Sequence, residues 1–163
     1  MISLVAFSLT MTKGRIAGMK IETNRFGEIE IEERDIYTFP DGIPGFETDK
    51  RFTLIGLEDL DGFACLQCVD RGDLSFFIVN PFAFFSDYEF QLPDEDARQL
   101  GVEDPVDLAV WTIVNVKDRL ETATVNLVAP VVLNVRNRIG RQIILVDPHL
   151  GTRHALFPTA QGV

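Results

Sequence analysis

The chain has 163 residues, 46% of them apolar, a net charge of −10 and two cysteines. That length suits one domain with its own core, and two cysteines give no disulfide framework, so a reducing cytoplasmic setting is expected. The acidic balance opposes a phosphate backbone and so argues against direct nucleic-acid binding, and no apolar run is long enough to span a membrane as a helix.

The first residues, Met1 to Thr10, are apolar, but Lys13 and Arg15 follow that run, whereas a signal peptide places its positive charge before it. Residues 1–18 therefore read as an N-terminal extension, disordered or arising from a start placed too early, with Met19 the natural start. From there short runs with turn residues between them succeed one another. Glu28 to Ile31 alternates with period two, as a half-exposed strand does. Ile36 to Phe39 leads into Pro40-Asp41-Gly42-Ile43-Pro44-Gly45-Phe46, a dense turn signal. Phe52 to Ile55, Phe63 to Val69 and Leu74 to Val79 are further strands, the last two joined through Asp70-Arg71-Gly72-Asp73 as a hairpin. Tyr88-Glu89-Phe90-Gln91-Leu92 alternates cleanly and places Tyr88, Phe90 and Leu92 on one face. One short helix follows, with Asp94 as N-cap, Gly101 as its stop, and Ala97 and Leu100 facing the sheet. Strands resume over Leu108 to Val116, Thr122 to Val128 and Val131 to Val135. Arg138 to Arg141 then turns into a strand over Gln142 to Val146.

Thr124 to Asn134 is rich in β-branched residues and carries Pro130 in its middle. A proline cannot donate to a ladder, so the run reads as two strands joined by a kink. Asn126 and Asn134 are expected to satisfy backbone groups left open there. Many short strands with one helix predict a mainly β, small single-domain, barrel-like fold of antiparallel strands.

The candidates for chemistry are few. Cys65 and Cys68 form a C-x-x-C pair, but on a strand positions i and i+3 face opposite ways, so they read as buried apolar residues. His149 and His154 lack metal-ligand spacing, and no nucleophile or phosphate-binding motif occurs. Neither a catalytic residue, a metal site nor a cofactor is expected. The charge is uneven: from Lys117 onward six basic residues meet three acidic ones, so the first 116 residues carry −13. Asp94, Glu95, Asp96, Glu103, Asp104 and Asp107 stand against Arg98 alone, which suits a docking surface for a basic protein. Arg136, Arg138 and Arg141 make a small basic island that reads first as an ordinary charged turn, and otherwise as a grip for an acidic segment or phosphates. Phe82, Phe84 and Phe85 cannot all be buried by an alternating strand, so one of them is expected to be exposed or to cap the barrel end, and an exposed one beside Asp87 and Glu89 suits an interface anchor. Composition alone also permits a barrel that encloses an apolar small molecule.

Asn126-Leu127-x-Ala129-Pro130-x-Val132-x-Asn134 resembles the signature of the flagellar assembly factor FliW family, with Val131 in place of its usual isoleucine. Phe39 to Phe46 resembles that family's Phe-x-x-Gly-hydrophobic-Pro-Gly-Phe turn. Phe63 to Gln67, Pro81-Phe82 and Gly140-x-Gln142-x-Ile144-Leu145 follow in the expected order. The resemblance runs from Met19 to about Phe157, which makes 19–163 one domain. It implies a monomeric, cytoplasmic, non-enzymatic β-barrel that binds flagellin and CsrA, a basic RNA-binding dimer that represses flagellin translation, and relieves that repression by exchanging partners. Within that frame Phe84, Phe85, Asp87, Tyr88, Glu89, Glu95 and Asp96 are the expected partner-binding residues. Gly42, Pro44, Gly45, Phe46, Asn126, Pro130 and Asn134 are expected to be structural.

Overall fold

The computed structural model describes residues 2–4 and 18–158, the first three by their backbone alone. The strands are β1 (Ile2–Leu4), β2 (Met19–Thr23), β3 (Gly27–Ile31), β4 (Ile36–Thr38), β5 (Arg51–Gly56), β6 (Phe63–Cys68), β7 (Ser75–Val79), β8 (Phe90–Leu92), β9 (Leu108–Asn115), β10 (Thr124–Val125), β11 (Val131–Asn134), β12 (Ile139–Gln142) and β13 (His154–Ala155), with one helix, α1 (Asp94–Leu100). Strands β4, β5, β6, β7, β9, β11 and β12 close into a barrel. Every pairing around it is antiparallel except the seam, where Ile139 of β12 meets Thr38 of β4 in parallel. Closure leaves these seven strands no open edge.

Alternation decides what lies inside. Ala109, Trp111 and Ile113 of β9, Val131 and Leu133 of β11, and Leu66 and Ile78 join Phe39, Phe52 and Leu54 in the interior, while Leu108, Val110 and Val132 face outward into a second cluster. Strand β6 is buried along its whole length. Cys68 belongs to the interior and Cys65 lies on the opposite face, so both are buried free thiols that diverge as their spacing requires. Gly140 on β12 makes room for Phe39: a Cβ there would meet Phe39 Cζ at 2.5 Å.

The turn after Phe39 closes one end. Phe46 N donates to Ile43 O at 2.6 Å. Pro44 and Gly45 occupy its two central positions, and Gly45, at φ 91°, adopts what a type II turn demands of its third residue. Gly42 has φ 66°, and a Cβ there would lie 2.6 Å from Glu47 Cα. Phe46 packs edge-on against Phe76 with centroids 5.3 Å apart.

The outward faces of β9 and β11 are covered by the excursion from Asn80 to Asp107, which carries β8 and α1, and by the C-terminal segment. Asp94 is not the N-cap of α1: Pro93 holds that position and Asp94 begins the helix. Gly101 ends it in the left-handed region at φ 67°, its N–H directed at Ala97 O and Arg98 O, and Leu100 is fully buried.

Three further expectations change. The strand foreseen over Thr122 to Val128 contracts to β10, because residues 126–130 leave the ladder as a five-residue excursion where β9 spends only Thr112 and Ile113. The turn foreseen at Arg138 to Arg141 lies earlier, with Arg138 at φ 63°, and β12 starts at Ile139. Residues 143–146 are not a strand. Ile143 N and Leu145 N reach Pro130 O and Val128 O at 2.8 Å each, while Ile144 and Val146 face solvent. In the N-terminal extension Ile2–Leu4 pair with β8, and residues 5–17 lie outside the described residues.

Candidate functional site

Asn80 determines how the aromatic segment starts. Its Oδ1 accepts from Phe82 N at 3.0 Å, and Pro81 opens a 3-10 turn over Pro81–Ala83. Phe85 N then donates to Pro81 O at 2.8 Å and Tyr88 N to Phe85 O at 3.0 Å. Because this stretch is coiled rather than pleated, strand alternation does not apply. Phe82, Phe84 and Phe85 are all half-buried, and no single one is fully exposed as expected. Phe84 meets Phe63 at 5.3 Å and Phe157 at 6.0 Å between centroids, and Phe85 lies 6.3 Å from the His154 ring. The rings thus form a ridge anchored from below, with one side of each open.

Tyr88 does not belong to the exposed part. It is 6% exposed, and its hydroxyl donates to Leu127 O at 2.8 Å. Burial pushes its pKa up, so it stays protonated and donating well above neutrality. It ties the ridge to the Asn126–Asn134 run and is buried in the free chain. Tyr88→Phe is expected to leave that carbonyl unpaired, at a cost of about 1–3 kcal/mol read as a lower melting temperature.

Charge surrounds the ridge. Asp87 and Glu89 are exposed and have no ion-pair partner among the described residues. On the other side the β5–β6 loop carries exposed Glu58, Asp59 and Asp61. It is pinned beside the ridge by Asn80 N donating to Gly62 O at 2.7 Å, with Phe84 Cε2 only 3.3 Å from where a Gly62 Cβ would stand. These three acids precede the ridge by more than twenty residues, so only the run Glu58-Asp59-Leu60-Asp61 hinted at them.

Glu95 and Asp96 differ. Glu95 accepts from Gln99 Nε2 at 2.8 Å and pairs with Arg98, and together these hold its carboxyl below the usual range. Asp96 faces Arg141 at 3.3 Å, and Arg141 also reaches Asp41. Arg136 pairs with Glu103 at 2.8 Å, and Arg138 donates to Tyr37 Oη at 2.8 Å and lies over its ring. The basic island is therefore engaged within the fold. Arg141 meets Asp96 because α1 packs against β12, whereas Arg136, paired with Glu103, stays exposed.

The flanking motif is built inward. Asn126 Oδ1 accepts from Ala129 N at 3.1 Å, closing its own loop. Asn134, 2% exposed, donates to Leu100 O at 2.9 Å and accepts from Arg136 N at 3.0 Å. It serves the end of α1 and the β11–β12 turn, not groups opened by Pro130. The Pro130 carbonyl is itself taken by Ile143. No group of three or more His, Cys, Asp or Glu side chains is placed to hold a metal among the described residues. His154 Nε2 accepts from Gly151 N at 2.8 Å.

The family model described as FliW protein matches residues 20–156. The chain belongs to the FliW family. It is 44% identical over 140 residues to the flagellar assembly factor FliW of Geobacillus kaustophilus, covering 86% of this chain and 96% of that one. It is 43% identical over 143 residues to the flagellar assembly factor FliW of Desulfitobacterium hafniense strain DSM 10664 / DCB-2, covering 88% of this chain and 94% of its relative. A crystal structure of the flagellar assembly factor FliW superposes with a TM-score of 0.81 at 42% identity, over 86% of this chain and 98% of that one. The barrel, its plugging turn and the Asn126–Asn134 excursion therefore lie within the FliW match, whereas β1 precedes it.

Proposed function

We propose that this FliW-family chain is a non-enzymatic cytoplasmic docking protein of flagellar assembly. It binds flagellin and the translational repressor CsrA: when flagellin is exported, the freed chain captures CsrA and relieves repression of flagellin synthesis. Family membership supports the assembly role. One observation supports the mode of action: the half-open ridge of Phe82, Phe84 and Phe85, flanked by Glu58, Asp59, Asp61, Asp87 and Glu89, none ion-paired among the described residues. Aromatic anchors supply contact area, and unpaired charge steers a basic partner and raises its on-rate. The contact set is Phe84, Phe85, Asp87 and Glu89, extended by the β5–β6 loop, with Glu95 and Asp96 at its margin. A barrel that holds an apolar molecule needs room inside, and here Phe39, Phe52, Leu66 and Trp111 fill that space.

Exchanging Asp87 and Glu89 for lysine tests the reading. Association with purified CsrA, followed by stopped flow at low salt, is expected to slow by roughly tenfold or more, and the gap should shrink as salt screens the charges. Unchanged association, with the variant melting like the parent, rules this face out.

A further inference from the structure

A cleft opens in the barrel wall where two neighbouring strands part. Strand β9 pairs with β7 only at Thr112↔Val79 and Ile113↔Ile78. Beyond that point β9 turns to β10, with Val114 opposite Val125 and Asn115 opposite Thr124, while β7 stays on β6 through Phe77, Phe76 and Ser75. The two strands diverge around a cleft of about 630 Å³. That size lies within the roughly 300–1,000 Å³ of sites that bury a small molecule. Cys65 and Val114, both buried, and the half-buried Phe77, Leu57 and Leu120 give it apolar walls. Walls of this kind supply affinity, and a few fixed polar groups supply orientation.

The polar end of the cleft is equally defined. Arg25, in the turn between β2 and β3, is the one charged residue that lines it. The turn is held down by Asn24 N donating to Gly72 O at 2.9 Å, and Arg25 Nε donates to Ser75 Oγ at 2.9 Å. With Nε committed, the guanidinium is oriented, and it has no other hydrogen bond or ion pair among the described residues. Its Nη donors stay available in the paired geometry that a carboxylate accepts. The chain has 25 acidic residues against 15 basic ones, yet no acid lines this cleft. An anion approaches against the net charge, so its hold comes from the local contact with Arg25 and from apolar burial.

We propose that this cleft binds a small apolar monocarboxylate, with its hydrocarbon body between β7 and β9 and its carboxylate on Arg25. None of these residues belongs to the contact set of the docking ridge, and the site goes beyond the docking function.

The probe is decanoate, titrated calorimetrically into the full chain near neutral pH. Saturable one-to-one binding is expected, with chemical-shift changes at the methyls of Leu57, Val114 and Leu120. Arg25→Gln is expected to weaken it roughly tenfold, as loss of a charged hydrogen-bonding partner does, and Arg25→Lys, which keeps the charge without the paired donors, to fall between. Arg25 is exposed, so both variants should melt like the parent. Decanol, which lacks the carboxylate, and acetate, which lacks the hydrocarbon body, are each expected to bind roughly tenfold or more weakly than decanoate. No saturation by decanoate, or shifts confined to other parts of the chain, overturns the site. Equal affinity for decanol, or parental affinity in Arg25→Gln, overturns the pairing with Arg25. Equal affinity for acetate leaves only an exposed cation and overturns the cleft. None of these readouts uses flagellin or CsrA, so failure here leaves the docking ridge untouched, and failure of the ridge leaves this site standing.

Discussion

Gly140→Ala is expected to lower the melting temperature by about 3–10 °C. The added methyl would stand 2.5 Å from Phe39 Cζ, 2.6 Å from Phe39 Cε1 and 2.9 Å from Leu133 Cδ2. Real Cβ contacts do not come that close, and Phe39 has nowhere to move: it is 0% exposed and rests edge-on against Phe52 at 5.2 Å. Overpacking of this kind costs about 1–3 kcal/mol, and a domain of this size loses roughly 2–4 °C for each. Alanine in a strand gains about 0.5–1 kcal/mol over glycine in backbone entropy, which offsets only part of that. Thermal unfolding of the single variant and of Gly140→Ala with Phe39→Leu measures the coupling, since a smaller side chain at 39 should relieve the strain. A single variant that melts at or above the parent temperature would show that the two strands part without cost.

Asn134→Ala is expected to destabilise by about 1–3 kcal/mol. Its amide joins two elements far apart in sequence: Nδ2 donates to Leu100 O at 2.9 Å, and Oδ1 accepts from Arg136 N at 3.0 Å. Removing a buried partner costs about 1–3 kcal/mol for each group left unpaired. Leu100 O keeps Asn137 Nδ2 at 2.9 Å, so the larger loss falls on the β11–β12 turn. Asn134→Asp keeps the acceptor but turns a carboxylate oxygen toward Leu100 O, so it should be no rescue. Denaturant unfolding ranks the three proteins, and parental stability in Asn134→Ala would remove this residue from the account of how α1 is held.

Much of the barrel was legible because its signals are local. Tyr88, Phe90 and Leu92 alternate and are buried, while Glu89 and Gln91 are exposed. The Asp70–Asp73 hairpin pairs Gln67 with Ser75 as the flanking strands require. Where local readings failed, a neighbour distant in sequence had intervened. Residues 143–146 look like a strand, yet their hydrogen bonds go to the irregular 126–130 excursion. Three phenylalanines could not be shared between the faces of a strand, but Asn80 and Pro81 coil the segment and all three pack at once.

The candidate site divides in the same way. Excess aromatic and negative residues near Phe84 to Glu89 could be seen in the chain, but the acids of the β5–β6 loop and the quenching of those on α1 could not. By itself the amino-acid order determined the strands, the glycine and proline turns and the buried, divergent thiols, because side-chain period and backbone freedom act within a few residues. The tertiary structure alone decided which charges stay open. Asp96 and Asp41 meet Arg141 across 45 and 100 residues of chain, a pairing that exists only once the helix lies on β12 and the barrel has closed.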